Sequence, residues 1–178
     1  MPVTLIYYVT ASLDGYIARP DGSIDWLLPF VDDHGYNNYY ASIDGLLMGR
    51  ATYQQCLDEG DWPYPDKPTI VLTRANHLPR AAPQVEQLHC SPADALKRLQ
   101  AQGCQRIWLV GGGSLAGNCL AAGLLDEVVI SIIPLLLGAG IPLFGIGIER
   151  PLHLLEMRSF PSGIVQMHYQ VLKETASP

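Results

Sequence analysis

The sequence predicts an α/β fold in which helices cover both faces of a largely parallel sheet. Short apolar runs without alternation recur along the chain, helix-like segments separate several of them, and the C-terminal part switches to strict alternation. A run with no polar residue at every second position has no face to offer water, the pattern of a strand buried on both sides. Strands alternating with helices in this way form parallel crossovers.

The runs are Leu5–Thr10 ("LIYYVT"), Gly45–Gly49 ("GLLMG"), Pro68–Thr73 ("PTIVLT"), Arg106–Val110 ("RIWLV") and Glu127–Pro134 ("EVVISIIP"). The clearest helix follows Ser91 and Pro92. Serine caps free N–H groups, proline fits the first helical position, Leu96 and Leu99 share a face, and Gly103 supplies the stop. Two more helices are expected, from about His34 to Ser42 and from about Ser114 to Ala122, the latter ending at Gly123. Leu152–Arg158 and Ile164–Leu172 flank the turn cluster "SFPSG", and Val165, Met167, Tyr169 and Val171 alternate with polar residues, so an antiparallel hairpin should close the sheet edge.

At 178 residues, 48% hydrophobic and 16% charged, the chain suits one domain over residues 1–174, with "TASP" (175–178) as a frayed tail. A net charge of −6 without a lysine or arginine cluster argues against nucleic acid or an anionic membrane as partner and favours a small molecule. Cys56, Cys90, Cys104 and Cys119 form no C-x-x-C pair and the histidines no H-E-x-x-H, so no metal site is expected and the thiols are read as reduced, in a cytoplasmic protein. The N-terminus carries no export signal. Val128–Ile148 runs 21 residues without a charge, but Pro134, Pro142 and four glycines divide it into a strand and a loop rather than a membrane span.

Three strand ends carry chemistry. In "LVGGGSLAGN" (Leu109–Asn118), glycines between a strand and a helix allow close approach to a backbone whose free N–H groups favour phosphate. Gly111, Gly113 and Ala116 match G-x-G-x-x-A, yet the motif lies late in the chain, and Asp126 and Glu127 precede the next strand instead of closing it, which argues against a Rossmann domain. On this stretch alone a plain turn and a phosphate cradle stand level. The other two ends are "MGRATY" (Met48–Tyr53) and "VLTR" (Val71–Arg74), each placing a hydroxyl and a guanidinium after a buried strand. Ligands of open α/β sheets bind at that edge, so three such ends suggest one phosphorylated ligand.

With "ASLDGYIA", "DGSIDW", "LMGRATY", "VLTR", "VGGGSLAGNCLAAGLLDEV" and "IIPLLLGAGIPLF" in this order, the chain resembles the dihydrofolate reductase-like superfamily, closest to single-domain relatives of the reductase domain of bacterial riboflavin biosynthesis. The resemblance implies a three-layer α/β/α fold and NADPH as cofactor. It implies that Gly112, Gly113, Ser114 and Leu115, with Gly111 beside them, wrap the pyrophosphate. Gly49, Arg50 and Thr52 would meet the phosphates from the other side, Thr73 and Arg74 would face the 2′-phosphate, and Ala11 and Ile17 would contact the nicotinamide. Counting back from "MGR" makes Asp33 a candidate proton relay or substrate anchor, whereas counting forward from Trp26 favours no acid there. A helix-start carboxylate is the alternative for Asp33.

Asp14 reads as a turn residue, and Asp58 and Asp61 as loop residues bordering the substrate pocket. Riboflavin-type reductases usually carry glutamate where this chain has Gly111, so a substrate-recognising charge is missing. The expected activity is hydride transfer to a small pyrimidine- or pteridine-like or other unsaturated substrate, the nearest named activity being 5-amino-6-(5-phosphoribosylamino)uracil reductase. The alternatives are dihydrofolate reductase activity and a non-catalytic NADPH-binding module. A homodimer is implied, for which Tyr39, Tyr40 and "GIPLFGIGI" are candidate contacts, ordinary packing being the commoner alternative for such residues.

Overall fold

A computed structural model of the chain describes residues 2–30, 34–75, 78–145 and 147–173. Asp33 and the 175–178 tail lie outside the described residues.

The apolar runs become the strands β1 (Thr4–Ser12), β3 (Gly45–Gly49), β4 (Thr69–Leu72), β6 (Arg106–Gly111) and β7 (Glu127–Ile133). With β5 (Val85–Leu88), β9 (Leu152–Ser159) and β10 (Val165–Val171) they form an eight-stranded sheet in the order β5-β4-β3-β6-β1-β7-β10-β9. Pairing from β5 through β7 is parallel, and the C-terminal hairpin β9–β10 adds antiparallel to β7. Two short strands, β2 (Tyr16–Ala18) and β8 (Ile141–Pro142), pair separately, and a 3-10 helix spans Asp25–Phe30.

Four helices make the outer layers: α1 (Tyr36–Ser42), α2 (Arg50–Asp58), α3 (Pro92–Ala101) and α4 (Gly113–Ala121). Consecutive strand residues feed opposite faces. Leu47, Ile70, Ile107 and Leu109 pack with Ala95, Leu96 and Leu99 of α3 and with Leu115, Ala116, Cys119 and Leu120 of α4. Leu46, Met48, Val71 and Trp108 pack with Tyr53 of α2 and, through partly buried contacts, with Tyr36, Tyr39 and Tyr40 of α1. Both faces are therefore core, which is why the runs do not alternate. The fold is the expected three-layer α/β/α arrangement.

Two carboxylates hold strand starts in register. Asp44 accepts from the Gln105 and Arg106 amides, aligning β3 with β6, and Asp126 accepts from the Leu5 amide at 2.8 Å. Asp126 thus belongs to the scaffold. The stretch Val128–Ile148 divides into β7 and a loop containing β8, and no helix among the described residues is long and apolar enough to cross a membrane.

Tyr39 and Tyr40, candidate contacts between copies with ordinary packing as the alternative, pack internally. Tyr39 stacks on Tyr8 at 4.0 Å, and Tyr40 donates to Asp66 while Lys67 lies over its ring. Apolar surface lies elsewhere, on β9, where Leu152, Leu154, Leu155 and Met157 are exposed.

Candidate active site

The topology creates a crevice between β3 and β6. From β3 the chain crosses through α2 on one face, from β6 through α4 on the other, so the two neighbouring strands send their chains apart. Such a switch point leaves an opening at the carboxyl ends of the strands. The two turns meet there: a Cβ on Gly49 would lie 3.8 Å from the Gly111 oxygen. The opening is a cleft of about 1560 Å3, larger than the roughly 300–1,000 Å3 of a single small-molecule pocket.

Ile17, Gly49, Arg50, Thr52, Thr73, Arg74 and all five residues Gly111–Leu115 line this one cleft. Ala11 is not brought to its wall: it is fully buried in the core, and its neighbours Val9 and Thr10 line the cleft.

Both helices that open on the crevice begin without a side-chain cap. Gly49 precedes α2 and Gly112 precedes α4, and neither offers an oxygen to the first amides. In contrast, α3 is capped by Ser91, which accepts from the Asp94 amide at 3.1 Å. Unsatisfied N–H groups and the positive end of the helix dipole attract anions. The exposed Arg50 and Arg74 add charge, and among the described residues neither makes an ion pair or a hydrogen bond.

The glycines serve different needs. A Cβ on Gly113 would meet the Pro142 carbonyl oxygen at 2.3 Å and that of Leu143 at 3.2 Å, because the 141–145 loop clamps the start of α4. The Gly145 amide donates to the Gly113 oxygen at 2.9 Å, and the buried Tyr7 hydroxyl donates to Leu143 at 3.0 Å. At Gly112 a Cβ would fit, at an ordinary 3.7 Å from Thr52 Oγ1. Gly111, with φ of +150°, would bring a Cβ to 3.1 Å from that same oxygen, so a glutamate there would have to displace Thr52.

One part of the cleft wall is aromatic. Tyr8, Tyr36, Tyr64 and Trp108 line it, and Trp108 stands edge-on to the three tyrosines at centroid distances of 5.4–5.9 Å. Its indole N–H donates to the Tyr8 carbonyl at 3.0 Å, which fixes the ring. Gln166 Nε2 lies 3.0 Å from Ser131 Oγ and 3.4 Å from the Tyr8 hydroxyl. Asp58 ends α2 instead of lying in a loop, and it lines the cleft with Glu59, whereas Asp61 does not. Asp14 is a turn residue as expected. It accepts from Ser12 Oγ at 2.6 Å and from the Leu137 and Gly138 amides, contacts that hold its carboxyl below the ordinary range.

The aromatic wall escaped the sequence reading because Tyr8 and Trp108 sit inside strand runs, where tyrosine and tryptophan read as core. The available signal was that strand-end aromatics on the α1/α2 face must border any ligand at the carboxyl edge. Among the described residues no group of three His, Cys, Asp or Glu side chains could hold a metal ion.

Fold and site together define the class: an open α/β domain of dihydrofolate reductase-like fold with a large cleft at a topological switch point. The chain belongs to the RibD C-terminal domain family, whose sequence profile matches residues 3–166. It is 34% identical over 168 residues to the uncharacterized protein YwjB of Bacillus subtilis (strain 168), covering 92% of this chain and 95% of that one. It is 29% identical over 119 residues to the dihydrofolate reductase HdrB of Haloferax volcanii, 65% of this chain and 60% of that protein. The crystal structure of a riboflavin biosynthesis protein, so described provisionally, from Shewanella sp. PV-4 superposes with a TM-score of 0.85 at 32% identity, covering 96% of this chain and 99% of that one. The family is reductase-like.

Proposed function

We propose that this chain is an NADPH-dependent reductase that delivers hydride to a small heterocyclic, pyrimidine- or pteridine-like, or other unsaturated substrate. The observation that carries the reading is the convergence on one cleft of two helix starts without side-chain caps and two arginines that are unpaired among the described residues. A dinucleotide bearing three phosphates matches that donor set, with the amides of Gly112–Leu115 and the Gly49–Thr52 turn on the pyrophosphate and Thr73 and Arg74 on the 2′-phosphate. Thr73 Oγ1 accepts from the Ala75 amide at 3.0 Å, which leaves its O–H available to donate.

When bound, NADPH would supply the hydride for a C=N or C=O carbon. The protein's own contribution is positional. Ile17 and the strand ends of β1 and β6 fix the ring plane, the aromatic wall excludes water and holds the acceptor flat, and Asp33 is assigned as proton relay or substrate anchor. The nearest named activity is 5-amino-6-(5-phosphoribosylamino)uracil reductase. The similarity to HdrB supports dihydrofolate reduction as the second reading.

Cytoplasmic residence and a homodimer complete the proposal. The exposed apolar side chains of the edge strand β9 support a second copy as their cover. Calorimetric titration with NADPH, followed by turnover assays with the phosphoribosylamino-uracil and with dihydrofolate, tests the function. NADPH binding with turnover of either substrate supports it. Absence of NADPH binding rejects the cofactor, and binding without any turnover favours a non-catalytic module.

A further inference from the structure

The charge distribution in the cleft speaks to the substrate. All eleven lysines and arginines lie among the described residues, and only Arg50 and Arg74 line the cleft. Both sit at the β3 and β4 ends, where the proposed function places cofactor phosphates. His89 follows β5, the strand that flanks β4, so it stands on the same side as Arg74. Apart from Arg50, Arg74 and His89, the charged side chains that line the cleft are Asp58 and Glu59 at the end of α2 and Asp21 in the loop after β2, all acidic; Lys67, over the Tyr40 ring, and Arg19, near Asp21, lie outside the lining.

A phosphate monoester carries about −1.5 to −2 charges at neutral pH and is ordinarily met by arginine, lysine or a helix start. Here it would face three carboxylates, with both helix starts and both arginines given to the cofactor. A flat ring has the opposite fit. The half-buried Tyr36 brings an aromatic ring to the cleft wall, and Asp58, which accepts from Gln54 Nε2 at 2.9 Å through Oδ1, keeps Oδ2 for an amino N–H.

We infer that the substrate is a planar, unphosphorylated heterocycle, neutral or cationic, with amino groups turned toward Asp58. This inference rests on the reductase reading and departs from the phosphoribosylated substrate that the nearest named activity would take.

The test is calorimetry on the full chain saturated with NADPH, using 5-amino-6-(ribosylamino)uracil and its 5-phosphate as a matched pair. The unphosphorylated compound should bind at least tenfold tighter, and the gap should narrow as salt rises. In the double variant Asp58→Lys/Glu59→Lys the phosphorylated compound should gain at least threefold relative to the unphosphorylated one. Equal or tighter binding of the phosphate by the wild-type chain overturns the inference, as does binding of neither compound at millimolar concentration. Failure of NADPH to bind rejects the reductase reading instead, so the two failures are distinguishable.

Discussion

Replacing Gly112 and Gly113 by alanine, one at a time, separates a glycine needed by the fold from one needed by the ligand. At position 113 the new methyl would stand 2.3 Å from a backbone oxygen of Pro142 and 3.2 Å from one of Leu143, so loop or helix must move. Overpacking of this kind costs about 1–3 kcal/mol, and losing the Gly145-to-Gly113 hydrogen bond adds roughly 0.5–1.5 kcal/mol. Together these give about 1.5–4.5 kcal/mol, or roughly 3–18 °C in Tm for a domain of this size. At position 112 the methyl meets only Thr52 Oγ1 at an ordinary 3.7 Å, and φ is −89°, so Tm should stay within about 2 °C. In the proposed cofactor placement, that methyl would stand against the pyrophosphate. Loss of one charge-assisted amide contact is worth about 1.5–3 kcal/mol, roughly 10- to 150-fold in Kd.

Thermal melts and NADPH calorimetry on both variants read the two effects separately. Unchanged NADPH affinity in Gly112→Ala would refute the cradle. An unchanged Tm in Gly113→Ala would refute the steric account of the loop.

Further outcomes follow from the same geometry. Arg74→Ala should weaken NADPH about tenfold or more while changing NADH less than twofold, and an equal loss for both would reject the 2′-phosphate role. Burial pushes the Cys56 thiol up to about 11 and Cys119 to about 12, so at neutral pH both stay protonated and inert. Iodoacetamide should label the exposed Cys90 first, faster as pH rises toward its own raised pKa, and NADPH should slow that labelling because Cys90 lines the cleft. Faster labelling of Cys119 than Cys90 by mass spectrometry would contradict the burial pattern. Ser91→Ala removes the α3 cap and should cost about 1 kcal/mol, or roughly 2–4 °C in Tm, without altering NADPH affinity. Light scattering should give twice the 19.5 kDa chain mass, and Leu154→Glu should reduce it to one; a monomeric wild type would dismiss the β9 interface.

Much of the fold was legible in the sequence because its strands are buried on both faces: five unbroken apolar runs became β1, β3, β4, β6 and β7. The strand β5 was not, since Glu86 and Gln87 on this sheet edge face solvent and partners. Glu86 pairs with Arg98, so the segment reads as polar loop. The β2–β8 pair escaped too, being three and two residues long and joined only through a distant loop. In the cleft, glycine, hydroxyl and arginine at strand ends announced themselves by residue type. Tyr8, Tyr36 and Trp108 did not, because an aromatic ring serves a core and a ligand wall equally, and only the topology shows which strand ends stay uncovered. Tyr39 and Tyr40 show the same ambiguity: the sequence left a contact between copies and ordinary packing both open, and they pack against the α1/α2 core.

NADPH, in the function proposed, is gripped by this cleft through α4, α2 and Arg74, and a crystal structure of the chain with NADPH shows whether it is. The pyrophosphate should lie on the amides of Gly112–Leu115, the 2′-phosphate beside Arg74, and the nicotinamide near Ile17 facing the Trp108 wall. Dinucleotide density away from the carboxyl edge of the sheet, or none at saturating NADPH, would contradict the account.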